Sequence, residues 1–218
     1  MPVALMTWRP RLAGGGAREL AIKAEFHTFV KPSWKPVLSS FCTKLTGIQQ
    51  QEINDAPDFP RALQTLEQFL ADHGLIDPST GERKVNFCWC TDGPFDIRDF
   101  MVKQAFISQV PLPTWMKGEL LDVREMVSHW CKYGTAKQTK RTKKHATVSR
   151  NIVAQLRALE LPQFEGRQHS GRDDTRNVCR ILAELGRRGM RLQPNTTINF
   201  RRRWSWMGRD GRVLYGSS

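Results

Sequence analysis

The sequence predicts an α/β domain in which a mixed β-sheet is flanked by helices. Segments typical of strands and of helices alternate along the chain, which favours this architecture. The 218 residues are enough for one domain with its own core. The hydrophobic fraction of 39% is below the usual value but too high for a disordered chain.

Two strands are predicted at the start of the chain. Residues 2–8 have the composition of a short buried strand, and residues 9–18 are predicted to be a loop because three glycines interrupt them. Residues 19–31 are predicted to be a second strand that ends before Pro32. Its apolar face is formed by alternate positions, namely Ala24, Phe26, Thr28 and Val30.

Helices follow in the next segment. Ser39 or Ser40 can cap a short helix that runs through Leu45. Residues 60–73 form the clearest amphipathic pattern, since Pro60 suits a first helical position and Gly74 suits a helix end. The apolar residues at helical spacing are Leu63, Leu66, Phe69 and Leu70.

The second half of the chain continues the alternation. The predicted elements are a core strand at 84–91, a helix at 97–108, a short strand at 120–123 with a helix through Trp130, and helices at 147–159 and 175–185. We expect one domain over residues 1–195. Residues 196–218 are predicted to be a basic and aromatic tail that forms a hairpin turning at 208–211.

The charge of the chain predicts a polyanionic partner. It carries 34 basic and 21 acidic residues, a formal net charge of +13. Lys and Arg bind phosphates with release of counterions, so nucleic acid is the expected partner. Five cysteines without a CxxC pair argue against a disulfide framework or zinc site and favour the cytoplasm or nucleus. No apolar run is long enough for a membrane span, and the oligomeric state stays open.

The first candidate site lies at the start of the helix predicted near residue 175. Within residues 164–177, His169 lies five residues before Asp174 on a glycine-containing loop. A carboxylate that holds a divalent ion, beside an imidazole that accepts a proton from water, suits metal-assisted hydrolysis. Spacing alone favours a plainer interpretation, in which Asp173 and Asp174 stabilise the start of a helix and His169 is a surface residue.

The second candidate site is the segment TDGPFDIRDF at residues 91–100. It follows a predicted strand and opens a predicted helix, so Asp96 is expected at the end of the sheet, where α/β folds place ligands. A turn rich in Asp, Gly and Pro is common, and this segment alone does not specify a function.

Together these segments resemble the Eri-type branch of the DEDDh 3′–5′ exonucleases. TDGPFDIRDF resembles the second motif of this branch, and FEGRQHSGRDDTRN, residues 164–177, resembles its third. LSSFCTKLTGIQ at 38–49 and AEFHTFVKP at 24–32 resemble the stretch between the first two motifs. The resemblance covers about residues 2–190 and implies an RNase H-like mixed sheet flanked by helices.

The resemblance also implies a chemistry and a set of site residues. Family members hydrolyse nucleic acid from the 3′ end with two Mg²⁺ ions, for which Mn²⁺ can substitute, held by four carboxylates and served by one histidine. Asp96 and Asp174 would be metal ligands, and His169 would be the general base. The neighbours Asp92 and Asp173 would support the site from behind, as would Asp99.

The family's first motif, an Asp-x-Glu pair on the first strand, has no counterpart in these residues. No aspartate of the sequence has a glutamate two positions later. Residues 2–6, PVALM, resemble the strand that follows that motif. We therefore expect an N-terminally incomplete exonuclease domain that lacks the central first strand, with negligible nuclease activity from these residues alone.

Two basic segments are further candidates for RNA contact. The loop predicted at 137–144 contains Lys140, Arg141, Lys143 and Lys144, which suit phosphate contacts, a solvated loop or a nuclear-import signal equally. In the tail, Trp204 and Trp206 alternate with other residues beside three arginines. They could stack on bases, but packing against the domain is the favoured interpretation.

Three functions follow in order of preference. The first is a 3′–5′ exoribonuclease that trims RNA 3′ ends, including structured or small duplex RNA. The second is a non-catalytic, truncated RNA-binding protein, and the third is a 3′–5′ DNA exonuclease. The FCTKLTGI and TDGPFD stretches favour RNA over DNA.

Overall fold

The computed structural model describes residues 1–10, 17–134 and 151–214. The chain divides into two compact units. Unit 1 contains Met1–His27, Cys90–Gly93 and Leu120–Thr196, and unit 2 contains Thr28–Trp89, Pro94–Glu119 and Thr197–Ser218. Helices and short sheets confirm the predicted α/β class. The predicted boundary between residues 195 and 196 stays a prediction.

Unit 1 opens with an antiparallel pair of strands. β1, Pro2–Pro10, pairs with β2, Ala17–His27. Both predicted strands are confirmed, but Arg9, Pro10, Ala17 and Arg18, which were predicted to be loop, belong to them. The three glycines of the predicted loop lie outside the described residues. The second strand also ends four residues before residue 31. There the backbone finds other partners, since the N–H of Lys31 donates to the carbonyl of Pro57 at 2.8 Å.

A second sheet contains three short strands. β3, Trp89–Thr91, β4, Glu119–Asp122, and β5, Thr196–Thr197, lie in the order β3-β4-β5. β4 confirms its prediction, whereas only the last three residues of the strand predicted at 84–91 are in the sheet. The Arg83 guanidinium binds the carbonyl of Phe87 at 3.0 Å, so that group is satisfied by a side chain rather than by a neighbouring strand.

Neither β1 nor β3 is enclosed on both sides. Within the described part of the chain, β1 pairs only with β2, and β3 pairs only with β4. The side-chain hydroxyls of Thr7 on β1 and Thr91 on β3 are both buried without a hydrogen-bond partner. These two edge strands therefore each carry an unsatisfied polar group.

Three helices complete the core of unit 1. They are α5, Val123–Tyr133, α6, Ile152–Ala158, and α7, Gly171–Arg187. α7 packs on β1, β2, α5 and α6. Its buried stripe includes the four predicted apolar positions Val178, Ile181, Leu182 and Leu185. The prediction for this helix is confirmed, and the helix begins four residues earlier. The helix predicted from residue 147 is described only from residue 152.

Unit 2 contains the predicted helices between residues 39 and 73. α1, Ser40–Thr46, is capped by the Ser39 hydroxyl, which accepts from the N–H of Cys42 at 3.1 Å. α2, Gln50–Asn54, follows it, and α3, Phe59–Asp72, begins after its cap Asp58. Its buried residues include Leu63, Leu66 and Leu70, as the periodicity predicts.

Unit 2 also contains a helix after α3 and the C-terminal segment. A π-helical turn, Asp96–Met101, continues as α4, Val102–Ile107, which confirms the helix predicted at 97–108. The C-terminal segment makes a turn closed by a single bridge, Met207 with Val213, around a 3₁₀ turn at Arg209–Gly211. The predicted hairpin is present only in this reduced form. Trp206 packs edge-on against Phe106, with centroids 5.7 Å apart.

The described helices bear on whether the chain could span a membrane, and the cysteines bear on thiol reactivity. None of the helices that the structure describes is long and apolar enough to cross a membrane. All five cysteines are free thiols, and Cys179 is buried in α7. Burial raises the pKa of the Cys179 thiol to about 12, so this thiol stays protonated and unreactive at neutral pH.

Candidate active site

The N-terminus of α7 brings together most of the predicted catalytic residues. Asp173 and Asp174 lie in the first turn of the helix, and His169 lies on the loop just before it. The Asp173 carboxylate accepts a hydrogen bond from the N–H of Arg167 at 3.0 Å. This bond is the largest cause of the lowered pKa of Asp173. Asp173 therefore anchors the loop on the helix, a role that sequence spacing could not separate from that of Asp174.

The surroundings of the Asp174 carboxylate disfavour its negative charge, so a bound cation would stabilise it. Burial raises the pKa of Asp174 above its ordinary value, and the nearby carboxylates of Asp173 and Asp92 raise it further. The backbone N–H of His169 donates a hydrogen bond to the same carboxylate, and this bond opposes that rise. A half-buried carboxyl beside two others gains most from a bound positive charge.

His169 has an unusual backbone conformation. Its φ is +64°, in the left-handed region that side-chain-bearing residues rarely adopt, and its side chain is exposed. Strain of this kind persists where the surroundings enforce it and is common at functional sites. The result is that the backbone N–H of His169 faces Asp174 while its imidazole is open to solvent.

Asn177 fixes the loop that carries His169. Its side chain is fully buried and donates to the carbonyls of Glu165 at 2.9 Å and Asp173 at 2.8 Å. Its Oδ1 accepts from the N–H of Glu165 at 3.1 Å. Sequence reasoning missed this residue. The available signal was a polar side chain one helical turn before Ile181 on the buried face of the helix.

The turn after β3 is held by a second network within unit 1. The Arg124 guanidinium binds both oxygens of Asp92 at 2.9 Å each, and the Gln155 amide donates to Asp92 at 2.6 Å. We call these three residues the Asp92 clamp. It ties β3 to α5 and α6, and it is consistent with the predicted supporting role of Asp92. Arg124 and Gln155 were missed, because only the fold brings them to Asp92.

Asp96 opens the π-helical turn of unit 2, and its side chain is exposed. π-helical turns are often found at functional sites. Nearby, Asp99 binds Arg98 at 2.8 Å and Arg202 at 3.1 Å, and the Arg98 hydrogen bond is the main cause of its lowered pKa. Asp99 is therefore a partner of arginines. The metal and catalytic roles of Asp96, Asp174 and His169 stay predictions.

The four candidate RNA-binding residues of the loop predicted at 137–144 lie outside the described residues, namely Lys140, Arg141, Lys143 and Lys144. Within residues 1–10, 17–134 and 151–214, no group of three or more His, Cys, Asp or Glu side chains is arranged to hold a metal ion.

Gly166 provides a test of how tightly the loop before α7 is packed. A Cβ at Gly166 would lie 2.5 Å from the Asp173 carboxyl carbon, and its φ is +85°. Gly189 has the same φ of +85° with nothing within 4 Å of a Cβ, so it is a matched control. Gly189→Ala should cost about 1–2 kcal/mol from backbone strain alone.

Gly166→Ala should cost about 1–2 kcal/mol more than the control, because it also displaces Asp173 from Arg167. Urea unfolding of both variants measures the difference. Equal losses would mean that the loop adjusts freely around the added methyl group.

Comparison with known proteins identifies the family. The RNase_T family, described as an exonuclease, matches residues 15–182. The 3′–5′ exonuclease eri1 of Schizosaccharomyces pombe is 34% identical over 203 residues, covering 87% of this chain and 61% of that protein. The 3′–5′ exoribonuclease 1 of Rattus norvegicus is 28% identical, covering 83% of this chain and 46% of the relative. The chain thus spans about half to three-fifths of these relatives.

Solved structures show the same fold. The nuclease domain of 3′hExo, a DEDDh family member bound to rAMP, aligns with a TM-score of 0.67 and 24% identity, covering 89% of this chain and 94% of that chain. A 3′-exonuclease in a structure on 3′-end specific recognition of a histone mRNA stem-loop also aligns with a TM-score of 0.67, at 22% identity, covering all of this chain and 89% of that chain. The RNase H-like prediction is confirmed. The chain belongs to the RNase_T exonuclease family, whose members generally use divalent metal ions.

Proposed function

We propose that this chain belongs to a 3′–5′ exoribonuclease that trims RNA 3′ ends, including structured ends. The observation that carries the proposal is the start of α7, where the His169 N–H is bonded to the half-buried Asp174 carboxylate. These residues occupy the third family motif in the order and spacing that the resemblance requires. The names of the relatives support RNA as the substrate class.

His169 acts as the general base in this proposal. Its imidazole is exposed, so it can accept a proton from the water that attacks the terminal phosphodiester. The left-handed backbone of His169 and the hydrogen bond from its N–H to Asp174 fix the backbone position from which the imidazole extends. Asn177 and Asp173 hold the loop in place, which limits the conformational entropy that the loop loses when substrate binds.

Asp174 and Asp96 are the residues that would hold divalent ions, Mg²⁺ or alternatively Mn²⁺. Bound Mg²⁺ supplies stabilisation of the attacking and leaving oxygens in an in-line displacement. Carboxylate oxygens suit this hard cation. Two ions need more carboxylates than the described residues bring together, and the Asp-x-Glu pair of the family is not among the 218 residues. We therefore expect these residues alone to have negligible activity.

The test of the roles uses a polypeptide in which a strand bearing Asp-x-Glu precedes these residues. His169→Gln and Asp174→Asn should each lower kcat for RNA trimming by about 10²–10⁴-fold, the usual contribution of a general base or comparable group. Asp173→Asn should lower kcat by less than about tenfold, since Asp173 anchors the loop only. Gel analysis of a 5′-labelled RNA measures the three rates. Equal losses at Asp173 and Asp174 would contradict the assignment.

A non-catalytic RNA-binding protein is the second candidate function. The incomplete set of carboxylates in the described residues favours it. It predicts RNA binding without trimming, whether or not a strand bearing Asp-x-Glu is added. A DNA exonuclease is the third candidate, and a comparison of RNA and DNA of the same sequence as substrates distinguishes it.

A further inference from the structure

The C-terminal segment of unit 2 lies along α4 and presents basic and aromatic side chains. The Trp204 ring has the Lys103 ammonium 4.7 Å and the Arg202 guanidinium 4.8 Å from its centre. Arg203 lies over Phe106, 5.3 Å from the ring centre. These contacts fasten the segment to α4 and keep several cations on one surface.

A cleft of about 380 Å³ lies at the end of the same helix. Trp34, Gln109 and Arg212 are among the residues that line it. Trp34 is 44% exposed, which is unusual for so large an apolar side chain, and Lys35 lies 5.4 Å from its ring centre. An exposed indole beside a cation offers a stacking surface next to a phosphate contact.

The position of Gln109 in this cleft is enforced by the backbone. Its φ is +54°, and its side chain lies so close to Gly211 that a Cβ there would be 3.0 Å from Gln109 Cγ. The close approach requires a glycine at residue 211, whose φ is +75°. An amide held in this way can pair with the edge of a nucleobase.

The cleft and the Trp204 group are neighbours. Lys103 of the Trp204 group and Ile107 of the cleft are four residues apart on α4, so they lie on one face with about 5–6 Å between their Cβ atoms. We call this surface the α4 track. Its residues are Trp34, Lys35, Lys103, Gln109, Trp204 and Arg212.

The charge of the track selects its partner. Residues 201–212 contain five arginines and one acidic residue. Among the described residues, Arg202 shares Asp99 with Arg98, and Arg212 is exposed. Positive charge that is not neutralised by the protein favours a polyanion over an apolar protein surface. The net charge of +13 acts in the same direction.

We propose that the α4 track binds single-stranded RNA. One base stacks on Trp34, the Gln109 amide contacts its edge, and Lys35, Lys103 and Arg212 contact the phosphates. Stacking with cationic contacts is sequence-tolerant and salt-sensitive. The proposal rests on the proposed function only for the choice of RNA, and it places a second RNA contact outside the residues assigned to catalysis.

The test is equilibrium binding of a 5′-fluorescein single-stranded RNA of about 16 nucleotides, a length at the upper end of known site sizes, to the 218-residue chain in EDTA. Fluorescence anisotropy is measured over a series of KCl concentrations. Trp34→Ala should weaken binding about 5- to 150-fold, as expected for loss of one stacked base. Trp34→Phe, which keeps a ring, should retain most of the affinity.

Arg212→Ala should reduce the slope of log K against log salt by about 0.7, the value for one lost phosphate contact on a single strand. Tyr133→Ala, 58% exposed on α5, is the aromatic control, and Arg61→Ala on α3 is the charge control. Both controls should bind as the unaltered chain does. Circular dichroism checks that each variant is folded.

Binding and trimming fail independently in this design. If the unaltered chain does not bind RNA, or if Trp34→Ala and Arg212→Ala bind as the controls do, the α4 track is not an RNA site. That result would leave the exoribonuclease proposal standing if the strand-extended polypeptide trims RNA. Weakened binding in the track variants supports the track even if no trimming is found.

Discussion

Joining a strand that bears an Asp-x-Glu pair to the N-terminus of these 218 residues is expected to create Mg²⁺-dependent trimming of RNA. The rate should exceed that of the 218-residue polypeptide by at least about 10³-fold. The reason is electrostatic: a metal site supplies several kcal/mol to the transition state, and each 1.36 kcal/mol is a factor of ten in rate. Asp174 and Asp96 alone provide too little negative charge.

The sheet topology says where such a strand can lie. β1 and β3 each end their sheet in the described part of the chain, and each carries a buried, unpaired threonine hydroxyl. A strand added beside β1 would satisfy the open backbone groups of that edge. We therefore expect the extended polypeptide to be more stable to urea as well as active.

The control is a strand of the same length in which the pair is Asn-x-Gln. It should restore stability without activity, which separates the structural role of the strand from the chemical one. Trimming by the 218-residue polypeptide itself, abolished by Asp174→Ala, would contradict the prediction. An inactive but stabilised Asp-x-Glu polypeptide would support the non-catalytic candidate.

Arg124→Ala is expected to lower the free energy of unfolding by about 2–3 kcal/mol. It leaves the Asp92 carboxylate, whose side chain is 14% exposed, with the Gln155 amide as its remaining partner in the Asp92 clamp. Removing one member of a largely buried ion pair typically costs about 3–5 kcal/mol, and the 29% exposure of Arg124 places this pair at or below the lower end. Arg157→Ala, at an exposed position of α6, should change stability by less than about 0.5 kcal/mol.

A double-mutant cycle isolates the pair. Asp92→Ala with Arg124→Ala should cost less than the sum of the two single variants, because no unpaired charge remains. Chemical denaturation of the four proteins gives the coupling energy. Additive losses would show that Arg124 stabilises the unit through packing rather than through Asp92.

The elements that depend on local pattern were predictable from the sequence. α3 and α7 follow from the spacing of apolar residues, and the caps at Ser39 and Asp58 follow from short polar side chains before a helix. The candidate residues Asp96, His169 and Asp174 came from family resemblance. Spacing alone favoured a plain helix start.

What the sequence did not reveal depends on distant partners. The strand predicted at 84–91 is short because the Arg83 guanidinium donates hydrogen bonds to the carbonyls of Phe87 and of Trp115, which is 32 residues away. Gln155 reaches Asp92 across 63 residues, and Asn177 is a polar side chain buried on a helix face that is mostly apolar. The left-handed φ of His169 follows from its surroundings, since no local rule places a histidine there.

The open edges of β1 and β3 also bear on how the protein behaves as its concentration rises. An exposed row of strand N–H and C=O groups can pair with the same row on another molecule. Self-association through such pairing depends on mass action, so the 218-residue polypeptide should form dimers or larger species at high concentration and dissociate on dilution. A strand added beside β1 would then lower this self-association.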